Sequence, residues 1–291
     1  MDKVDKSLRE LIVLKIIEKK ELEYLNKDFI EKSLALFILE NKSTYTKLKE
    51  KFLKNEEKSS KAKELKIIVK GVRSRLRELF GVFYIRGFEN AEQLISSITS
   101  ENMEKVAFEL LKTHRSSKER LRYHEEIYDK IAQITNIKPQ LILDLACGYN
   151  PFSYFFLKES FQCSPDYICC DLSSKDIILF NKFFQNAGIK GESFYCDLTS
   201  DISIPKKVKA DICFLFKTLD SLESASKNSS DRILKEINTK YFIVSFPTKS
   251  IGGNKQILKS KRAWFYKLLD RLSYTYEEFS IHNELFFVIK K

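Results

Sequence analysis

Glycine and proline are both scarce, 8 and 5 in 291 residues, and no proline precedes Pro139. A collagen-like or Pro/Gly-rich disordered chain is thereby excluded, and the first 138 residues are free to build uninterrupted helices. No apolar run approaches the roughly 18 residues that span a bilayer. Met1-Asp2-Lys3 leads into a charged segment rather than a signal peptide. A soluble, cytoplasmic protein without a membrane partner is the expectation. The six cysteines sit mostly in apolar, strand-like runs, two of them adjacent at Cys169-Cys170. They read as buried free thiols of a reducing compartment, not as a disulfide framework. With three histidines and no CxxC, no metal site is expected.

Positive charge is what the chain has in excess: 51 Lys and Arg against 40 acids, a net +11. Residues 42–77 hold 13 basic and 4 acidic residues. A field that concentrated favours a polyanion, although a lysine-rich, merely solvated set of helix faces would look similar. The length suits one large domain or a catalytic domain with a helper.

The first half reads as helix almost throughout, at about 8–17, 27–39, 43–54, 61–84 and 90–112. In 61–84 the apolar residues Leu65, Ile68, Val72, Leu76, Leu79 and Phe83 recur at three and four, the period of one helical face. Lys66, Lys70, Arg73 and Arg77 follow the same spacing on a neighbouring face. That cationic ridge is the candidate surface for a polyanion. In the second half, short apolar runs alternate with helical stretches: Leu141–Leu145, Tyr167–Cys170, Ser193–Cys196, Ala210–Phe216 and Tyr241–Phe246, then Leu272–Phe279 and Leu285–Ile289. The first five have βαβ spacing and predict a largely parallel sheet, while the last two predict an antiparallel pair. The class is therefore α/β, a Rossmann-like doubly wound seven-stranded mixed sheet. Its ligands belong at the carboxyl ends of the strands.

The first strand ends in Leu141-Ile-Leu-Asp-Leu-Ala-Cys-Gly-Tyr-Asn-Pro151. Ala146 stands where the dinucleotide fingerprint has its first glycine, and no GK[ST] follows, so neither a dinucleotide nest nor a P-loop is present. What remains is Asp144, Gly148, and an acid closing each of the next two strands, Asp171 and Asp197. A carboxylate after strand two can accept ribose hydroxyls, and one after strand three an adenine amino group. Asp144 can face the cationic end of an amino acid. Three acids without a phosphate nest suit S-adenosylmethionine; a nucleotide-binding fold used otherwise stays open, because Asp at strand ends is also a routine turn former.

Four segments now resemble one family. His114-Arg-Ser-Ser-Lys-Glu-Arg-Leu121, Asp144-Leu-Ala-Cys-Gly-Tyr-Asn-Pro151, Phe214-Leu-Phe-Lys-Thr-Leu-Asp-Ser-Leu-Glu223 and Val244-Ser-Phe-Pro-Thr-Lys-Ser-Ile-Gly-Gly253 occur in that order. Together they are similar to the aminoglycoside-resistance 16S ribosomal RNA guanine-N7 methyltransferases, which act on guanine-1405 of the decoding site. Gly71 to Tyr84 is similar to the segment that precedes their catalytic domain. The resemblance implies a class I adenosylmethionine-dependent methyltransferase domain at 139–291. It also implies a junction at 113–138 carrying the HxSSxERL motif, and an all-helical RNA-binding domain at 1–112. It assigns Arg120 to the cofactor carboxylate, Asp171 to the ribose, Asp197 to the adenine and Lys217 to a place beside the target. The chain departs from the family at Leu219-Asp220, where Leu-Pro is usual, and at Ser117, where Thr is usual.

Locally, Ser116 and Glu119 have capping-box spacing, which predicts Arg120 in the first turn of a helix continued by Leu121, His124, Tyr128 and Ile131. The candidate cofactor residues are His114, Arg120, Asp144, Ala146, Gly148, Asp171, Asp197 and Leu198, with His114 open between a structural and a contact role. Cys147 reads as a small packing group. The catalytic candidates are Lys217 and Phe246, the latter because Phe246-Pro247 ends a strand where a base could stack. Thr248 to Arg262 contains Lys249, Lys255, Lys259, Lys261 and Arg262 and no acid, which makes it the second candidate RNA surface. The adenine-amino motif [Asn/Asp]-Pro-Pro-[Tyr/Phe] and the Pro-Cys of cytosine methylases are both absent. The expected partner is 16S ribosomal RNA, in an assembled 30S subunit, and the expected state is a monomer. Two alternatives remain at this point: a methyltransferase for another structured-RNA purine, and a non-catalytic RNA-binding module. Resistance and housekeeping roles are equally compatible with the sequence.

Overall fold

The computed structural model describes residues 3–19, 22, 25–80, 90–99, 101–249 and 256–291. The chain divides into two compact units: residues 1–82 with 172–174, and residues 83–171 with 175–291.

The first unit is helical. Helices α1 (Lys3–Ile17), α2 (Lys27–Glu40), α3 (Lys42–Lys54), the single turn α4 (Glu56–Ser59) and α5 (Lys63–Phe80) pack on one another. Leu8, Ile12 and Ile16 of α1, Phe29, Ile30 and Leu34 of α2, and Leu48 of α3 form its core. The α5 stripe Leu65, Ile68, Val72 and Leu76 is buried against it, as the helical period requires. Gly71 lets α5 approach α2 closely, because a Cβ there would lie 2.2 Å from Phe37 Cε2. The end of the expected 61–84 helix, including Phe83, lies outside the described residues.

The helix expected at 90–112 is two helices in the structure, α6 (Ala91–Ser96) and α7 (Met103–Leu111). Between them Asn102 accepts the Thr99 N–H at 2.7 Å and donates to the Ser97 carbonyl at 2.8 Å. Short polar side chains there compete with the helical ladder and break it. Both helices belong to the second compact unit. A second break separates α8 (Arg115–Arg120) from α9 (His124–Thr135), so the helix predicted to run from Ser116 through Ile131 is interrupted at 121–123.

The second unit is built on a seven-stranded sheet: β1 (Leu141–Leu145), β2 (Asp166–Asp171), β3 (Gly191–Tyr195), β4 (Lys209–Phe216), β5 (Asn238–Pro247), β6 (Thr275–Ile281) and β7 (Glu284–Lys290). Their order is β3-β2-β1-β4-β5-β7-β6. The first five are parallel, and β7 runs antiparallel to both β5 and β6. Each expected apolar run is a strand, and the terminal pair is the expected hairpin. Helices α10 (Tyr154–Phe161), α11 (Ser174–Asn186), α12 (Leu219–Ala225), α13 (Ser229–Glu236) and α14 (Ala263–Leu272) make the crossovers. Strands β1, β4, β5 and β7 are buried almost end to end, which is why they read as continuous apolar runs rather than alternating ones. The chain leaves β1 toward β2 on one side and returns to β4 on the other, so the switch point, and the crevice it opens, lies at the carboxyl ends of β1 and β4. All six cysteines are free thiols, and five are buried.

Candidate cofactor and catalytic site

The turn after β1 takes two residues through the left-handed region, Ala146 at φ 51° and Gly148 at φ 49°. Ala146, at the position where a glycine was missing from the fingerprint, therefore carries a strain that glycine would not. Two hydrogen bonds fix the turn: Cys147 N–H donates to the Cys170 carbonyl at 3.0 Å, and Gly148 N–H to Asp171 Oδ2 at 2.9 Å. Above it lies His114, buried and stacked on Tyr149 with ring centroids 4.9 Å apart. A Cβ on Gly148 would stand 3.2 Å from His114 Cε1. Burial, together with the Arg120 and Lys217 charges, pushes the His114 imidazole down to about 3, so it is neutral at physiological pH. Gly148→Ala is expected to cost about 1–2 kcal/mol from the left-handed backbone alone, with His114 displaced besides. The denaturant midpoint reads this effect, and an unchanged midpoint would contradict the geometry.

Asp144, 1% exposed, has its two oxygens in different circumstances. Oδ2 accepts from Tyr167 Oη at 2.6 Å and from Asn150 Nδ2 at 2.9 Å. Asn150 Oδ1 in turn accepts from Tyr128 Oη at 3.1 Å, and Ser153 closes the network beside it. Oδ1 is buried and has no hydrogen-bond partner. Burial pushes the carboxyl up to about 7, against the lowering by its two hydrogen bonds and by Arg120. A buried acceptor left unsatisfied is costly, and a cationic donor is what its chemistry invites. The orphaned oxygen, the glycine turn and Asp171 together fit an amino-acid-bearing nucleoside such as S-adenosylmethionine.

The third acid is placed differently. Asp197 Oδ1 accepts from Thr199 N–H at 3.0 Å and Thr199 Oγ1 at 2.5 Å, and Oδ2 from Ser200 Oγ at 2.7 Å. It organises its own loop as an Asx turn. Leu198, proposed with it, turns its side chain into the core, and its carbonyl accepts from Arg232 Nη2 at 2.6 Å.

Around Arg120 the structure assembles a buried ionic cluster. Arg120 is 5% exposed; its Nε donates to Glu284 Oε2 at 3.1 Å and its Nη2 to Ser116 Oγ at 3.1 Å, while the guanidinium lies 4.8 Å from the Phe216 ring centroid. The capping box does not form: α8 is capped at His114 without a side-chain bond, Ser116 serves Arg120, and Glu119 serves Lys217. Lys217 follows β4 with φ 56°, its N–H bonded to Ser245. Its Nζ lies 2.9 Å from Glu119 Oε2 and 3.2 Å from Glu284 Oε2. Burial alone would raise the Glu284 carboxyl, but Arg120 and Lys217 outweigh it and hold the group below its ordinary range. Neither Glu284 nor Glu119 is legible in sequence as a site residue. Glu284 follows a hairpin turn and meets an arginine 164 residues away.

Two expectations about the RNA side are corrected. Phe246 is no exposed stacking platform: it is 1% exposed, packed edge-on by Phe265 and Phe287, with the Arg262 guanidinium 4.6 Å from its ring centroid. The alternation of β5 turns it into the core. Arg262 is itself 6% exposed and paired with Asp220 at 2.8 Å. Asp220 thus finds its partner within the fold, at the position where the family usually has proline. Lys249 and Lys261 are exposed, Lys259 opens a short 3-10 turn (Lys259–Arg262), and Lys255 lies outside the described residues. On α5, Lys66 and Lys70 are exposed. Arg73 instead donates to the last carbonyls of α1, Ile16 at 3.2 Å and Lys15. It caps that helix end, where cations and donors are favoured, and is not an open phosphate ligand. Arg77 is half-buried. No helix among the described residues is long and apolar enough to cross a membrane.

A model of the ribosomal RNA methyltransferase (FmrO) family matches residues 53–288. The chain is 28% identical over 232 residues to a 16S rRNA (guanine(1405)-N(7))-methyltransferase of Micromonospora echinospora, covering 77% of this chain and 82% of that one. It is 27% identical over 230 residues to the enzyme of the same description from Serratia marcescens, with 79% and 85% covered. Among solved structures, that of the 16S rRNA methyltransferase RmtF in complex with S-adenosyl-L-homocysteine is similar in fold, with a TM-score of 0.73 at 19% identity, covering 100% of this chain and 99% of that one. The 16S rRNA methylase RmtB gives 0.70 at 22% identity, with 97% and 98% covered.

Proposed function

The chain belongs to the ribosomal RNA methyltransferase (FmrO) family, and from that premise we propose that it transfers the methyl group of S-adenosylmethionine to N7 of guanine-1405 in 16S ribosomal RNA. The expected setting is the assembled 30S subunit, with the enzyme a cytoplasmic monomer. The observation that carries the cofactor is the buried, unpartnered Oδ1 of Asp144. The descriptions of relatives at 28% and 27% identity support the target.

When bound, S-adenosylmethionine supplies a methyl group activated on a positively charged sulfur. Asp144 Oδ1 offers a desolvated acceptor for an α-ammonium, while Tyr167 and Asn150 hold the other oxygen. Arg120 offers its guanidinium to a carboxylate. Asp171, fixed by the Gly148 N–H, is placed for ribose hydroxyls. The neutral His114 adds no positive charge against the sulfonium. Guanine N7 has an in-plane lone pair and no proton, so the transfer needs no general base. His114 is held neutral by burial, and Glu284 is locked in its ion pairs. What the chain supplies is alignment and exclusion of water, and orientation can contribute about 7–11 kcal/mol in favourable cases.

Reaction and target are tested together by mapping methyl incorporation at nucleotide resolution in isolated 30S subunits, 70S ribosomes and naked 16S RNA. Borohydride followed by aniline should cut the strand at guanine-1405 of the 30S subunit. Methylation without cleavage overturns the N7 chemistry; cleavage at another guanine keeps the chemistry and overturns the target.

The exposed Lys66 and Lys70 are the α5 cations placed for RNA phosphates. Reversing both to Glu should weaken RNA binding and flatten the slope of log affinity against log salt by roughly 1.4–1.8, the value of two phosphate contacts. Cofactor affinity should stay unchanged. An unaltered slope removes α5 from the RNA surface.

A further inference from the structure

The tip of the β6–β7 hairpin makes three separate attachments around the proposed site. His282, at φ 53°, stacks on Tyr123 with centroids 4.9 Å apart, and its Nδ1 lies 3.3 Å from Tyr123 Oη. The Asn283 carbonyl accepts the Thr248 N–H at 2.8 Å, at the entry to the basic loop. Glu284, 3% exposed, divides its carboxylate: Oε1 takes the Ser245 hydroxyl, and Oε2 faces both Arg120 Nε at 3.1 Å and Lys217 Nζ at 3.2 Å. Ser245 Oγ also accepts the Lys217 N–H at 3.0 Å. One buried carboxylate therefore touches the two cations that come from different elements, α8 and the β4 exit, and reaches the backbone of the second through Ser245.

A long arginine and a long lysine would each lose considerable rotamer freedom if they were held in one place only by their ligands. Two cations brought close together also repel unless an anion lies between them. Glu284 meets both requirements. We propose that Glu284 is a positioning residue: the β6–β7 tip sets the Arg120 guanidinium for the cofactor carboxylate and the Lys217 ammonium for the target base, and couples the two. This rests on the cofactor and target assignments above.

Glu284→Gln keeps the shape, removes the charge and turns one of the two acceptor oxygens into an NH2 donor. In the full-length protein it should weaken S-adenosylmethionine binding by calorimetry at least 10-fold through Arg120. Independently, with cofactor and 30S subunit saturating, it should slow single-turnover methylation at least 10-fold through Lys217. Glu284→Asp, which keeps the charge on a shorter arm, should recover part of both. In an Arg120→Ala background, Glu284→Gln should change cofactor affinity less than 3-fold, because its route of action is gone. Ser245→Ala, which leaves every charge in place, gives the same two effects at smaller size and covers the case in which Glu284→Gln does not fold. The role of Glu284 is overturned if its effect on cofactor affinity is fully additive with Arg120→Ala, or if Glu284→Asp is no better than Glu284→Gln. If Arg120→Ala and Lys217→Ala leave affinity and rate untouched, it is the site assignment itself that fails.

Discussion

Arg120→Ala is expected to lower the unfolding free energy by about 3–5 kcal/mol, the range for breaking a buried ion pair from one side. Both partners are nearly inaccessible, with side chains 6% and 4% exposed for Arg120 and Glu284. Lys217 at 3.2 Å still compensates part of the Glu284 charge, which argues for the lower end of the range. Cofactor affinity should fall separately by roughly 10- to 150-fold, the value of a lost charge-assisted hydrogen bond of about 1.5–3 kcal/mol. Equilibrium unfolding in denaturant checks the first number, and calorimetry on the folded fraction checks the second. Arg120→Lys should restore much of the stability, because it keeps a positive charge beside Glu284, and little of the affinity, because an ammonium lacks the planar fork with which a guanidinium pairs a carboxylate. A lysine variant as tight-binding as the original would remove Arg120 from the cofactor site.

The second large effect is in the pH dependence of stability. His114 and His124 are both buried, and burial, with Arg120 adding to it, pushes each imidazole down to about 3. Their contribution is fully present above the unfolded value near 6.5 and is lost as pH falls toward 3. Asp144 acts in the opposite sense. Its carboxyl is raised to about 7, so its contribution is present below the unfolded value near 4 and is lost as pH rises through 7. Between about pH 4.5 and 6 the unfolded chain therefore binds two imidazole protons that the folded chain lacks, and the folded chain keeps one carboxyl proton. Acidification costs about 1.4 kcal/mol per pH unit from these three groups, and Asp144→Asn should double that slope. Unfolding free energies at pH 6 and 4.5, measured without added cofactor for both proteins, give the comparison directly. Parallel curves would mean that Asp144 is ionised in the folded protein. Where Asp144 meets an ammonium it must ionise, so cofactor binding should release protons near pH 6 to 7 and tighten as pH rises through that window.

The five parallel strands were legible because buried parallel strands are short continuous apolar runs, and Leu141–Leu145 and Ala210–Phe216 could hardly be anything else; the terminal pair was legible from two strand-like runs a short turn apart. That Asp144, Gly148 and Asp171 lie together was legible because strand ends at a switch point converge whatever the intervening helices do. Which way Phe246 faces was not legible, since one step along a strand reverses the face and the end of a strand fixes no register. The fate of Arg73 was hidden for a related reason. Helical spacing places it on the ridge with Lys66 and Lys70, but the nearby carbonyls of Lys15 and Ile16 belong to another helix and leave no mark on the local pattern. The break between α6 and α7 rests on side-chain competition by Asn102, which composition hints at only weakly. Glu284 was invisible on every count, a single polar residue after a turn, with no periodicity and a partner in a different part of the chain.

The position of β7 has a consequence for the order in which the protein forms. It is translated after β5 and β6, yet it lies between them, pairing Tyr241 with Lys290 and Pro247 with Glu284. Until β7 emerges, β5 presents an unpaired apolar edge, a template for wrong partners, and closing it requires contacts nearly fifty residues apart, which form slowly. Glu284 enters with that strand. The nascent chain can thus fold its helices while the cationic pair at Arg120 and Lys217 still lacks its anion. A protein proposed to act on ribosomes would then have no assembled centre while the ribosome making it is still translating the hairpin.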